Sequence, residues 1–83
     1  MQYQYKPKGV CSREIVLDMD GDVIRSVHFI GGCSGNTQGV AALAAGKKAS
    51  DVIKALDGIR CGAKSTSCPD QLSRALKEAL NQK

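Results

Sequence analysis

The chain has 83 residues, a formal net charge of +4, four cysteines, one phenylalanine and no tryptophan. A chain this short buries only about 60–65% of its unfolded surface, so its core is thin, and small domains of this kind often gain stability from a metal, a disulfide or a second copy. The basic residues are scattered rather than gathered in a stripe with interleaved aromatics, which argues against a nucleic-acid binder, and no apolar run approaches the roughly 20 residues of a membrane span.

The polar start "MQYQYKPKG" does not read as a secretory signal. A cytoplasmic location is therefore expected. There, four cysteines serve as metal ligands or redox centres more often than as structural disulfides. With no internal repeat and no low-complexity segment, residues 1–83 read as one domain.

The first ten residues are polar and contain Pro7 and Gly9. They either lead into an edge strand or stay loose. Residues 14–19, "EIVLDM", alternate, with Ile15, Leu17 and Met19 on one face. Residues 23–30, "VIRSVHFI", are rich in β-branched and aromatic types. The "DGD" between them predicts a tight hairpin, because Asp-Gly supplies the positive φ that such a turn needs. On a regular strand, His28 shares a face with Ile24, Ser26 and Ile30.

Three helices are expected next. Residues 37–45 carry Val40, Leu43 and Ala44 at helical spacing, with Ser34 or Asn36 as cap and Gly46 as stop. Residues 51–57 carry Val52, Ile53 and Leu56, between a Ser50 cap and Gly58. Residues 69–81 carry Leu72, Ala75, Leu76, Ala79 and Leu80, an amphipathic stripe at i, i+3, i+4, i+7 and i+8. The fold class is α+β: a small antiparallel sheet followed by three helices packed on one face.

The hairpin gives the cysteines a meaning. Pairing about "DGD" sets Cys11 opposite residues 30–32, so Cys11 and Cys33 meet at its open end although they are 22 residues apart. Cys33 lies in "GGCSGN", between a strand and a helix. Cys68 opens the last helix in "STSCPDQL", where Ser67 can cap, Asp70 stands three residues on and Pro69 suits the first turn. A helix N-terminus favours a thiolate. Together these form a candidate thiolate site.

Cys61, in "GIRCGAKS", precedes Cys68 by seven residues. That is not a CxxC knuckle, but zinc needs four ligands at tetrahedral angles rather than any one spacing. Cys61 reads as a buried thiol, a fourth ligand or a redox partner of Cys68. Asp70 and His28 compete for the fourth place. Asp70 is more often a helix-dipole partner than a ligand, and His28 more often a surface or core residue. No Ser–His–Asp set, paired carboxylates or phosphate-binding glycine motif is present.

The stretches "KGVCSREI", "GGCSGNTQG" and "TSCPDQLSRAL" resemble the TSCPD domain family over about residues 3–80. These domains are known as small stand-alone proteins and as a C-terminal part of adenosylcobalamin-dependent ribonucleotide reductases. The resemblance carries the family's cysteine positions onto Cys11, Cys33, Cys61 and Cys68. It implies a module related to ribonucleoside-diphosphate reductase, but 83 residues hold no reductase barrel, so catalysis by this chain alone is not expected.

The order of elements also resembles NifU/SufE-type iron–sulfur scaffold proteins. Those carry a cysteine before a strand, one in a Gly-Cys turn before an alanine-rich helix, and one at the start of a late helix. Cys11, Cys33 and Cys68 match in that order; Arg13 stands where the scaffolds have aspartate.

The expected function is a metal-binding accessory module, with zinc first and an iron–sulfur cluster second. Cys11, Cys33 and Cys68 are ligands, and Cys61 or Asp70 completes the set. The alternative is a thiol–disulfide module, using Cys61 and Cys68, that serves a ribonucleotide reductase. A reductase or another protein is the expected partner. A homodimer through an exposed sheet edge is a further expectation.

Overall fold

The computed structural model of the chain describes residues 2–10, 12–31, 34–60 and 66–81, without the side chains of 34–36. Three strands, β1 (Gln2–Tyr5), β2 (Ser12–Asp20) and β3 (Val23–Gly31), precede three helices, α1 (Ser34–Ala44), α2 (Ala49–Leu56) and α3 (Cys68–Asn81). The sheet is antiparallel in the order β1-β2-β3. The α+β architecture expected from the sequence is the one found, and the first residues form an edge strand.

The hairpin turn is Gly21-Asp22. Gly21 has φ +62° and no non-glycine residue among the described ones, Asp22 included, has positive φ, which is the pattern of a type II′ turn. Its twist matches that of the flanking strands.

Two irregularities interrupt the β2–β3 register. Asp18 pairs with Ser26 but Met19 with Ile24, so Arg25 is an extra residue on β3. A bulge shifts the phase of side-chain alternation. Ile24 and Val27 are therefore both buried, and the expected face of His28 is corrected. His28, Ser26 and Ile30 pair with Val16, Asp18 and Glu14 on the outer face, while Ile24 has moved to the inner one. His28 is exposed.

Two helix starts also differ from expectation. α1 begins at Ser34, so Asn36 lies inside its first turn and cannot be its cap. Residues 34–36 contain no apolar side chain, so periodicity marks only the later, core-facing part of this helix. α2 begins at Ala49 with Lys48 as N-cap, making no side-chain capping bond, rather than at Ser50. Tertiary pairing decides this start. The Ala49 N–H donates to the Asp22 carbonyl at 2.8 Å, and the Ile24 N–H donates to the Lys47 carbonyl at 2.9 Å. The α1–α2 connection is thereby fastened to the beginning of β3 and covers its edge there.

The core draws on Ile15, Leu17 and Met19 from β2, Ile24 and Val27 from β3, and Leu72, Ala75, Leu76 and Ala79 from α3, closed by Ala44, Ala49 and Val52. Alanines on the helices allow close approach to the strands, which compensates for the scarcity of large aromatics. α3 is the central helix: it packs against α2, β2, β1 and α1. Leu76 is fully buried. Leu76→Ala should lower unfolding stability by about 2–4 kcal/mol, because the sheet behind it cannot collapse into the space left. The measurement is a shift of the urea midpoint at unchanged slope.

Candidate functional site

The sequence Thr66-Ser67-Cys68-Pro69-Asp70 forms the N-terminus of α3 and the residues that cap it. Ser67 is the cap: its hydroxyl accepts the Asp70 N–H at 3.1 Å, and its carbonyl accepts the Gln71 N–H at 2.8 Å. The same hydroxyl donates to the Ile59 carbonyl at 2.6 Å. Pro69 falls in the first turn, where a missing N–H leaves no helical bond unmade.

Asp70 is buried, at 2% exposure. Its Oδ1 accepts the Gly58 N–H at 2.7 Å and its Oδ2 accepts the Thr66 hydroxyl at 2.5 Å, with the Arg74 Nε 3.4 Å away. Burial pushes this carboxyl up. The hydrogen bonds from Thr66 and Gly58, helped by the positive charges of Arg74 and Lys77, outweigh burial and hold it below its ordinary value. Both oxygens that a metal would use are occupied by donors from the protein itself.

Gln71 extends the network to the first strand. Its Nε2 donates to the Thr66 hydroxyl at 2.9 Å. Its Oε1 accepts the Lys8 N–H at 3.1 Å and the Tyr5 hydroxyl at 3.2 Å. Burial is the main cause that pushes the Tyr5 phenol above its ordinary value. Among the described residues no buried side-chain nitrogen or oxygen lacks a partner.

Within the motif, Thr66, Ser67 and Asp70 are committed to hydrogen bonds. Cys68 is a free thiol of intermediate exposure. Its Sγ lies 3.1 Å from the Ser12 hydroxyl at the start of β2.

That contact depends on the second register irregularity. Ser12 pairs with Gly31 and Glu14 with Ile30, leaving Arg13 as the extra residue. The bulge turns Ser12 to the inner side, where it is buried; regular alternation would put it on the outer face with Glu14. Gly31 completes the arrangement. It has φ +82°, and a Cβ there would sit 3.3 Å from the Arg13 Nε and 3.5 Å from its backbone nitrogen.

The start of β2, the end of β3 and the start of α3 therefore converge at the open end of the hairpin. The convergence of Cys11 and Cys33 expected from the sequence, and the position of Cys61, lie outside the described residues. Among the described residues no group of three or more histidine, cysteine, aspartate or glutamate side chains is placed to hold a metal, and no helix is long and apolar enough to cross a membrane. Of the two competitors for the fourth place, His28 is on the outer sheet face and the oxygens of Asp70 are taken by Gly58 and Thr66.

Sequence reasoning missed Ser12, Gln71 and Thr66. Their roles follow from a bulge and from tertiary contacts; only the Ser67–Asp70 spacing is a local signal.

A sequence-family model described as the TSCPD domain matches residues 1–80. No curated protein matches the chain, and no solved structure does.

Because the folded-state Asp70 carboxyl titrates below its unfolded value near 3.9, its contribution to stability is present above that value. It is lost as pH falls through the depressed folded value. Asp70→Asn should cost about 2–4 kcal/mol at neutral pH, since Gly58 and Thr66 lose their charged acceptor. The variant should also lose stability less steeply than the parent below about pH 4. Urea titrations across pH read both effects.

Proposed function

The chain belongs to the TSCPD domain family, and from that premise we propose that it is a small metal-holding accessory module. Cys68, Cys11, Cys33 and Cys61 are its ligands and zinc is the first-choice metal. The observation that carries this reading is the contact of Cys68 with Ser12 at 3.1 Å. Ser12 directly follows Cys11, and its strand partner Gly31 stands two residues before Cys33. The Ser67–Ile59 bond, at 2.6 Å, adds the remaining segment, because Ile59 stands two residues before Cys61. Consecutive Cα atoms are about 3.8 Å apart, so each of the other three cysteines is tethered within one or two residues of this cluster.

The occupied oxygens of Asp70 favour Cys61 as the fourth ligand. Four thiolates with no open position suit a closed structural zinc site, with Zn–S distances of about 2.3 Å. Such a site stabilises the fold outright, which suits a thin core. An iron–sulfur cluster is the second choice of metal group. In this reading the module serves a ribonucleotide reductase, as the family resemblance implies, or another protein partner, within the cytoplasm.

The same Ser67–Ile59 bond favours a second reading: Cys61 and Cys68 as a dithiol. Oxidation to a disulfide would release two electrons and two protons, reducing a disulfide of the partner reductase.

The test is elemental analysis of anaerobically purified protein, with an absorption spectrum and thiol counts before and after chelation. The expected result is about one zinc per chain and thiols that react only after chelation. In Cys68→Ser the zinc should be lost together with the fold. Iron with sulfide and visible absorbance would move the assignment to a cluster. A metal-free protein whose thiols answer to reductant alone would overturn the metal reading in favour of the dithiol.

A further inference from the structure

Away from the cysteine end, α1 and α2 enclose an apolar hollow of about 250 Å³, lined among others by Val40, Val52 and Leu56. It is smaller than the roughly 300–1,000 Å³ of small-molecule sites, but ample for an aliphatic side chain. Leu43, on its wall, is 75% exposed, whereas the other exposed large hydrophobics, Ile30 and Ile59, stand at 41% and 42%. Lys47 and Asp51 line the same hollow. Neither forms an ion pair with another described residue.

One surface thus carries a projecting leucine, a hollow able to receive one, and one charge of each sign. This set is complementary to itself. A two-fold axis places each element against its counterpart on an identical surface, as an isologous contact requires. We propose that α1 and α2 form the face through which two copies of this chain associate. Leu43 of each copy enters the hollow of the other, and Lys47 of each meets Asp51 of the second copy. The sheet edges are the poorer candidates, because the α1–α2 connection already occupies the start of the β3 edge and β1, at the other edge, is only four residues long. The proposal stands apart from the metal reading, since none of these residues belongs to the cysteine end.

Sedimentation equilibrium of the intact chain over a wide concentration range, at about 0.15 M salt where charges more than ~8 Å apart are screened, tests it. The expected result is a reversible monomer–dimer equilibrium. Leu43→Asp should weaken it about a hundredfold or more, because two buried leucines are lost per dimer. Lys47→Glu and Asp51→Lys should each weaken it severalfold, and the double variant should recover the parent constant. Circular dichroism checks that each variant folds; Leu43 is exposed, so it should. A monomer at every concentration, a dimer indifferent to Leu43→Asp, or a double variant no better than its singles would each overturn the proposal. A monomer that binds an apolar dye in a Leu43-dependent way would overturn it too, and would assign the hollow to a different occupant.

Discussion

The fold at the cysteine end depends on one buried carboxylate. Removing Asp70 from water costs several kcal/mol unless its charge is fully answered, and the answer comes from both sides of one loop. The Gly58 N–H closes on one oxygen and the Thr66 hydroxyl on the other. Gly58 follows α2 and Thr66 precedes α3, so this carboxylate fixes both ends of the segment that carries Cys61. The Ser67 hydroxyl repeats the tie by joining the α3 cap to Ile59. Asp70 therefore serves the site as a positioning group. It sets where α3 starts, and hence where Cys68 stands.

The same helix start also holds the sheet. Gln71 receives the Lys8 N–H and the Tyr5 hydroxyl, which brings the segment after β1 against α3. Further along α3, Glu78 accepts the Tyr3 hydroxyl at 2.6 Å. Tyr3 and Tyr5 pair with Leu17 and Ile15, so the edge strand contributes phenols to the core face and anchors them by their polar tips. Ser12 reaches Cys68 only because Arg13 bulges. A bulge beside a site that re-aims one side chain is a device of the backbone rather than a defect. Here it makes room for a polar residue on the inner side of the strand, at the point where α3 begins.

What the sequence disclosed divides along physical lines. The alternation in β2, the glycine turn and the stripe of α3 are period signals that repeat over many residues, and each appears in the structure. The cap of α3 was legible because Ser67, Pro69 and Asp70 act within four residues of one another. The start of α2 was not, because hydrogen bonds to the Asp22 carbonyl in the turn and from the Ile24 N–H on β3 override the preference of Ser50 for the cap. The face of Ile24 was lost for a related reason: a single extra residue, Arg25, resets the alternation and leaves no mark in composition. Ser12 is the clearest case. Its place at the site depends on a bulge, on a glycine nineteen residues away and on a thiol at the far end of the chain. No short-range pattern could announce it.

The charge distribution supplies a last connection. Asp18, Asp20 and Asp22 lie at or beside the turn of the hairpin, whose nine-residue strands separate the two ends by about 27–30 Å at ~3.3 Å per residue. Basic residues stand at the opposite end as well. The Lys8 backbone N–H is tied to Gln71, Arg13 packs beside Gly31, and Arg60 follows the Ile59 carbonyl that receives Ser67. The one buried carboxylate there, Asp70, is already satisfied by its own partners. A zinc ion held by four thiolates carries a net charge of about −2, and nearby cations lower the cost of gathering those thiolates.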